Sequence, residues 1–333
     1  MTIFRVPEDF PQVQDVIDNM MPPVLESGDT IEVSAGTFQS FVLNDMDVNL
    51  NNLERVRISG CGIGRTIFNG GGTGDGVVIN GSPQTYLKNF TVQGYSGSGV
   101  LLQSNTLNGD NCVIQNVEAK FNGIGFDIQT NDNTLVNNSA SSHTTGEGDG
   151  FEISGENNCL FENTSNENIA GFHVTNSNNT LVDNVAKQNT EDGFLLDGDG
   201  SNTTLVGNLA LKNNIGINCQ TDDNMILENR SCNNTSIGIA LVGVDADIAN
   251  GNRVDWNIVR GNGTMGQPNN AGIFVILGAG STVPNAITFN KLKLNENFSI
   301  LDEAGFPGTP NIYNGNVCTD NISDPVEACD TIN

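Results

Sequence analysis

The chain repeats itself, and the length of the repeat restricts what it can fold into. A phrase of glycine, apolar residue, any residue, apolar residue recurs as Gly99-Val-Leu-Leu, Gly125-Phe-Asp-Ile, Gly150-Phe-Glu-Ile, Gly171-Phe-His-Val, Gly193-Phe-Leu-Leu, Gly216-Ile-Asn-Cys, Gly238-Ile-Ala-Leu and Gly272-Ile-Phe-Val. Successive glycines lie 26, 25, 21, 22, 23, 22 and 34 residues apart. A second phrase follows, as in NCVIQNVEA from Asn111, NTLVNNSA from Asn133, NCLFENTS from Asn158, NTLVDNVA from Asn179, TTLVGNLA from Thr203 and NRVDWNIV from Asn252. Aligned on these phrases, Asn116, Asn138, Asn163, Asn184, Asn208, Asn229 and Asn257 fall in one column.

Alternating apolar residues give each short strand one buried face. A repeat this short encloses no core alone and must stack on its neighbours. Asn- and Gly-rich repeats do not supply helical spacing, and the fixed leucine frame of a leucine-rich repeat is absent. A coil of parallel strands, with backbone hydrogen bonds between coils about 4.8 Å apart, meets every requirement. The asparagine column then forms an amide ladder inside a turn, pairing backbone groups that the bend would strand. Ahead of the repeats, PQVQDVIDNM sets Val13, Val16, Ile17 and Met20 on one helical face behind Pro11, which predicts a short amphipathic helix over the open end of the stack. The expected layout is an N-terminal cap over 1–30, coils over 31–302 and a Pro/Gly/Asn-rich C-terminal cap over 303–333. The predicted class is all-β.

The FPQVQDVID…GDTIEVSAGTF opening and the internal repeats resemble the right-handed parallel β-helix superfamily, the pectate-lyase-like fold and its parallel β-helix repeat proteins. The likeness covers nearly the whole chain. It implies a right-handed parallel β-helix, a solenoid with a short N-terminal capping helix. It leaves activity open, because the superfamily holds lyases, hydrolases, epimerases, phage tailspikes and non-enzymatic surface proteins.

Composition narrows the partners. Thirteen Lys and Arg stand against 39 Asp and Glu, a formal charge of −26, which excludes a simple nucleic-acid binder and docking on an anionic membrane. No apolar run approaches the roughly 18 residues of a membrane span. The N-terminus shows no signal peptide; the expected location is nonetheless extracellular or on a cell, spore or virion surface, because a leader can be removed.

Strand alternation assigns outward positions. One column reads Leu101, Asp127, Glu152, His173, Leu195, Asn218, Ala240, Phe274, and two residues on it reads Gln103, Gln129, Ser154, Thr175, Asp197, Gln220, Val242, Ile276. The candidate catalytic residues are Asp127, Asp149, Glu152 and His173: carboxyls on adjacent rungs raise one another's pKa, as general acid catalysis needs. Gln129, Asp192, Asp197 and Trp256 are candidate substrate contacts. An acidic chain also places carboxylates outward without function, and a lone outward His is ordinarily a surface imidazole. No cofactor is required. Asp197 and Asp199 in DGDGSN offer oxygens to calcium, while turn chemistry accounts for the same residues.

The insertion SASSHTTGEGDG, with His143, Glu147 and Asp149, lengthens the coil before Gly150; it either walls a cleft or is a surface excursion. The segment 243–270 carries Trp256, the only Trp, which it either covers or leaves exposed to stack on a sugar ring. Cys112 and Cys159 align with Thr134 and Thr180 and sit too far apart to bridge; Cys219 reads as core. Cys318 and Cys329 form the one plausible local disulfide, with free thiols the alternative.

Two functions remain open. One is a non-catalytic surface or structural protein, with a polysaccharide or cell-surface glycan as its expected partner and a trimer through its sides as one open assembly. The other is a glycoside hydrolase acting on a neutral polysaccharide. A lyase or epimerase fits less well. The outward columns hold no Lys or Arg for a lyase, and the Asp-Pro-His that resemblance to a mannuronan epimerase implies is missing; so is the Gly-His-Gly that resemblance to a polygalacturonase, a hydrolase, implies.

Overall fold

The computed structural model describes residues 1–18, 25–26, 28–44, 48–49, 55–82, 84–104, 111–243, 249–264, 266, 268–276, 283–303, 310–319, 322–324 and 328–329. The chain forms two compact units, Met1–Thr164 and Ser165–Asn333. Each is built of parallel coils. Every regular coil contributes two three-residue strands to a bent sheet and one strand to a second, single-strand sheet. In the first unit Thr134–Val136 and Ser139–Ser141 are such a pair, and Ile124–Ile128 and Phe151–Ile153 are successive strands of the second sheet. In the second unit Thr204–Val206 and Leu209–Leu211 alternate with Asp192–Leu196 and Ile215–Cys219. Strand pairing there continues through Ile312–Asn314, Val317–Thr319 and Ile322–Asp324. No described helix is long and apolar enough to cross a membrane.

The glycine phrase is explained by packing. The first apolar residue of each phrase points inward, and identical residues stack: Phe126 on Phe151 at 4.7 Å in the first unit, Phe172 on Phe194 at 4.9 Å in the second, both nearly coplanar. The preceding glycine lies against the next coil. A Cβ on Gly193 would stand 2.5 Å from the Gly216 carbonyl oxygen, and one on Gly125 2.3 Å from that of Gly150. The repeat therefore keeps glycine for close approach of backbones rather than for a positive φ.

Asparagine ladders hold the bends, and there are more of them than the sequence column indicates. In the second unit one runs Asn184, Asn208, Asn229, Asn257, Asn290, Asn316. A second runs Asn168, Asn189, Asn213, Asn234, Asn262, Asn295. A third links Asn224, Asn252, Asn285 and Asn311. At most rungs the backbone N–H and side-chain amide of one Asn donate to the Oδ1 of the next, as Asn208 does to Asn229 at 2.8 and 3.0 Å; at Asn252 the N–H does so while the side-chain amide donates to the Thr221 carbonyl. The residue before a ladder Asn takes a left-handed conformation, as Asn137, Glu162, Asp183 and Glu228 do at φ 54–56°.

The structure shifts one rung of the aligned column. Val113 pairs with Thr134 and Glu118 with Ser139, so Asn116 faces Asn137, in the left-handed position, and not Asn138. Val117 stands opposite Asn138 and donates its N–H to that side chain at 3.0 Å. By the same shift Cys112 faces Asn133, whose Oδ1 accepts its N–H, and not Thr134. The whole phrase NCVIQN is displaced by one residue against NTLVNN, so that its left-handed residues Asn111 and Asn116 take the places of Asp132 and Asn137.

The one described helix, Val13–Asp18, buries Val13, Val16 and Ile17; Met20 lies outside the described residues. Gln12 and Gln14 accept the backbone N–H groups of Gln39 and Val42 at 3.0 and 2.8 Å. These contacts occupy donors that an edge strand would otherwise present. Near the other terminus Cys318 and Cys329 are joined by a disulfide. Cys61, Cys112, Cys159, Cys219 and Cys232 are free. Alkylation of the unfolded, unreduced chain is therefore expected to label five thiols, and seven after reduction, read by mass; seven labels before reduction would contradict the bridge.

Candidate functional site

In the first unit the single-strand sheet sets Leu101, Asp127 and Glu152 on successive rungs. Asp127 is not open to solvent, as an outward strand position suggests, but 7% exposed. Ser98 Oγ and Gln129 Nε2 donate to its Oδ2 at 3.2 and 3.1 Å. Burial pushes its pKa up to about 6; those two hydrogen bonds oppose the shift, and the carboxylates of Asp75 and Glu147 add to it. Asp75 is itself tied down by the Ser98 N–H at 2.8 Å. Glu152 is half-buried on the next rung. Asp127 and Glu152 are therefore neighbouring carboxyls in different settings, the arrangement that separates an acid from its conjugate partner.

The insertion before Gly150 is shorter than it reads. Ser139–Ser141 is a regular strand, and His143 occupies a ladder position, fully buried, its Nδ1 accepting the Asn122 N–H at 3.0 Å. Asp149 is buried as well, so it edges no open face. Burial lowers the His143 pKa to about 4. The imidazole thus folds neutral, whereas in the unfolded chain it protonates below about pH 6.5. Stability from this group is present above pH 6.5 and lost as pH falls toward 4. His143→Asn is expected to keep the ladder, to change stability at pH 7 by no more than about 1 kcal/mol, and to remove an acid-linked loss of about 2–3 kcal/mol. Urea midpoints at pH 7 and pH 4.5 check this; equal acid sensitivity in both proteins would refute it.

In the second unit His173 and Asp197 are hydrogen-bonded, Nε2 to Oδ1 at 2.9 Å. Asp192 is 9% exposed and accepts Asn218 Nδ2 at 2.9 Å. Burial raises its pKa to about 6, with Asn218 lowering it, Glu191 raising it, His173 lowering it and Asp197 raising it. The structure so gathers His173, Asp192 and Asp197, which the sequence reading had split between roles. It adds Asn218, in register with Leu195 beside His173.

The outward column does not continue as an open face. Ala240, Phe274 and Leu301 are buried in a cluster with Ile237 and Ala271, against which Ile215, Val242, Ile276 and Phe298 pack. Asp197 and Gly200 close a tight turn at 3.0 Å. Among the described residues no group of three or more His, Cys, Asp or Glu is placed to hold a metal ion. Trp256, expected on balance to be covered by the inserted segment, is instead 56% exposed and stacks on Phe289 at 4.8 Å on the bent sheet. None of the Lys or Arg residues lies in a strand of the single-strand sheet.

Ser98, Asp75 and Asn218 carry no motif. Ser98 and Asp192 do share one signal, a polar residue immediately before the strand glycine, where the side chain reaches across to the next rung.

Residues 75–229 and 145–292 match the family model described as right handed beta helix region. No curated protein sequence matches the chain. The fold is similar to the A-module of a mannuronan C-5 epimerase from Azotobacter vinelandii, with TM-score 0.65, 16% identity, and coverage of 89% of this chain and 88% of that one. It is similar to a mannuronic acid specific polysaccharide family 6 lyase from human gut microbiota, with TM-score 0.66, 12% identity and coverage of 97% and 87%. A third likeness is to the catalytic unit of a GH87 α-1,3-glucanase from Streptomyces thermodiastaticus, with TM-score 0.54, 12% identity and coverage of 91% and 65%. At these identities the likeness is one of fold.

Proposed function

This chain belongs to the right-handed β-helix family, and from that premise we propose that it is a carbohydrate-active member that hydrolyses a neutral polysaccharide on its single-strand sheet. The observation that carries the reading is Asp127, held protonated up to about pH 6 beside Glu152 on the adjacent rung. The epimerase, lyase and glucanase whose folds it resembles all act on polysaccharides by their names.

In this mechanism Asp127 donates its proton to the glycosidic oxygen as the bond to the anomeric carbon breaks. Rungs about 4.8 Å apart match the separation of about 5 Å found in retaining glycosidases. Glu152 therefore attacks the anomeric carbon and forms a glycosyl ester. Asp127, now ionised, takes a proton from the water that hydrolyses the ester. A neutral substrate follows from charge: an anionic uronan would meet carboxylates with no Lys or Arg in the sheet to offset them.

The second reading is glycan binding without cleavage. It is favoured by the two hydrogen bonds that already occupy Asp127. Reducing-end release from β-1,3-glucan, α-1,3-glucan, mannan and xylan, with polygalacturonate as control, tests the first. Release from a neutral polymer that collapses in both Asp127→Asn and Glu152→Gln supports it. Release unchanged by either, or none from any neutral polymer, overturns it.

A further inference from the structure

The first unit carries a cleft of about 740 Å³ that the site above does not use. It lies on the bent sheet, along the bend where each coil turns between its two strands. Asn89, Asn116, Asn137 and Glu162 form its central column, one from each of four successive coils, all with left-handed backbone at φ 54–62°. Three rung steps make that column roughly 14 Å long, enough for a few hexose residues.

The cleft has a fixed end and an open floor. At the end, the Tyr86 hydroxyl is hydrogen-bonded to Gln115, and the Lys88 ammonium lies 5.3 Å from the centre of the Tyr86 ring. Asn116 donates to Asn89 at 2.7 Å. These contacts fix the wall side chains before any ligand arrives, which lowers the ordering cost of binding. The floor side chains of Asn137, Ser139, Glu162 and Thr164 make no hydrogen bond or ion pair with other described residues. Amides and hydroxyls both donate and accept, the complement a sugar hydroxyl needs. In a chain of charge −26 this cleft balances one cation, Lys88, against one carboxylate, Glu162.

We infer that this cleft is a second, non-catalytic binding site for a neutral oligosaccharide. It rests on the carbohydrate reading above but not on the Asp127–Glu152 chemistry. A polymer held here stays with the protein whether or not it is cleaved elsewhere. A polar lining whose two charges balance suits a neutral, hydrated sugar rather than an apolar ligand.

Affinity electrophoresis through gels containing barley β-glucan, glucomannan or dextran tests it, in the hydrolysis-deficient Asp127→Asn/Glu152→Gln background. Asn137→Gly removes one floor amide at a position whose φ of 54° glycine accepts. Ser139→Trp fills the cleft from an outward strand position. Each is expected to weaken retardation by a neutral polymer at least tenfold in apparent Kd, with thermal unfolding of Asn137→Gly unchanged. Equal retardation of both variants and their parent overturns the inference. So does stronger retardation by polygalacturonate, or none by any neutral polymer. Failure of the catalytic proposal reads out separately, as hydrolysis indifferent to Asp127 and Glu152 while cleft-dependent retardation persists.

Discussion

Asn208→Ala is expected to cost the second unit about 3–5 kcal/mol, although it deletes only one surface-type amide. Asn208 is fully buried. Its Oδ1 accepts the Asn184 N–H and side-chain amide at 2.8 and 3.1 Å, and its Nδ2 donates to the Leu181 carbonyl at 2.9 Å and to Asn229 Oδ1 at 3.0 Å. Alanine removes the partner on both sides of the rung at once. Each buried polar group so stranded costs about 1–3 kcal/mol, because the bend admits no strand ladder to replace it. Asn208→Asp keeps the acceptor, loses the donor and buries a charge, so it is expected to be no better than alanine. Urea unfolding measures both; a loss below about 1 kcal/mol for alanine would show that the ladders follow the bends instead of holding them.

Asp127→Asn is expected to lower hydrolysis by at least about a hundredfold and, at the same time, to stabilise the fold above pH 6. The folded pKa, about 6, lies above the unfolded value of 3.8. The folded state therefore holds its proton more tightly, and stability from this group is full below pH 3.8 and lost as pH rises through 6. A shift of this size corresponds to about 2–3 kcal/mol. Asparagine keeps an oxygen for Ser98 and Gln129 and never ionises, so the gain appears at pH 7–8 and vanishes near pH 4. A gain in stability on removing Asp127 is what the proposed catalytic role predicts. Glu152→Gln is expected to abolish hydrolysis without that gain. Product released by the wild type is expected to retain the anomeric configuration of the bond cleaved, read by proton NMR at early times. Inverted product would move the nucleophile role away from Glu152.

These two experiments bear on different levels of the molecule, and the levels were unequally readable. Phe126, Phe151, Phe172 and Phe194 could be assigned inward because alternation along a strand is a local rule that needs no neighbour. Proximity in sequence singled out Cys318 and Cys329 as the pair able to bridge and left free thiols open; the structure joins them. The ladder register was not. NCVIQN and NTLVNN match as strings with Asn116 on Asn138, yet the coils pair with Asn116 on Asn137. Slipping a strand by one residue turns every side chain to the opposite face, so the inward packing of Ile114 on Leu135 decided the register against the string match.

His143 shows the same limit from the other side. In the sequence it lies inside a polar insertion, and only the coil stacked on Asn122 reveals it as a rung in an asparagine ladder. Outward columns were likewise correct as directions and incomplete as environments. Phe274 and Asp127 both point away from the core, yet one lies in an apolar cluster and the other among Ser98, Gln129 and Asp75.

By itself the sequence determined the period, the strand faces and the parallel coil, because these follow from alternation and from glycine and asparagine at fixed intervals. The tertiary structure alone decided which carboxyls are buried, which polar side chains meet and where a cleft opens. Those properties depend on residues 21 to 36 positions away along the chain, brought to roughly 5 Å by stacking, and no local pattern records what such a neighbour will be.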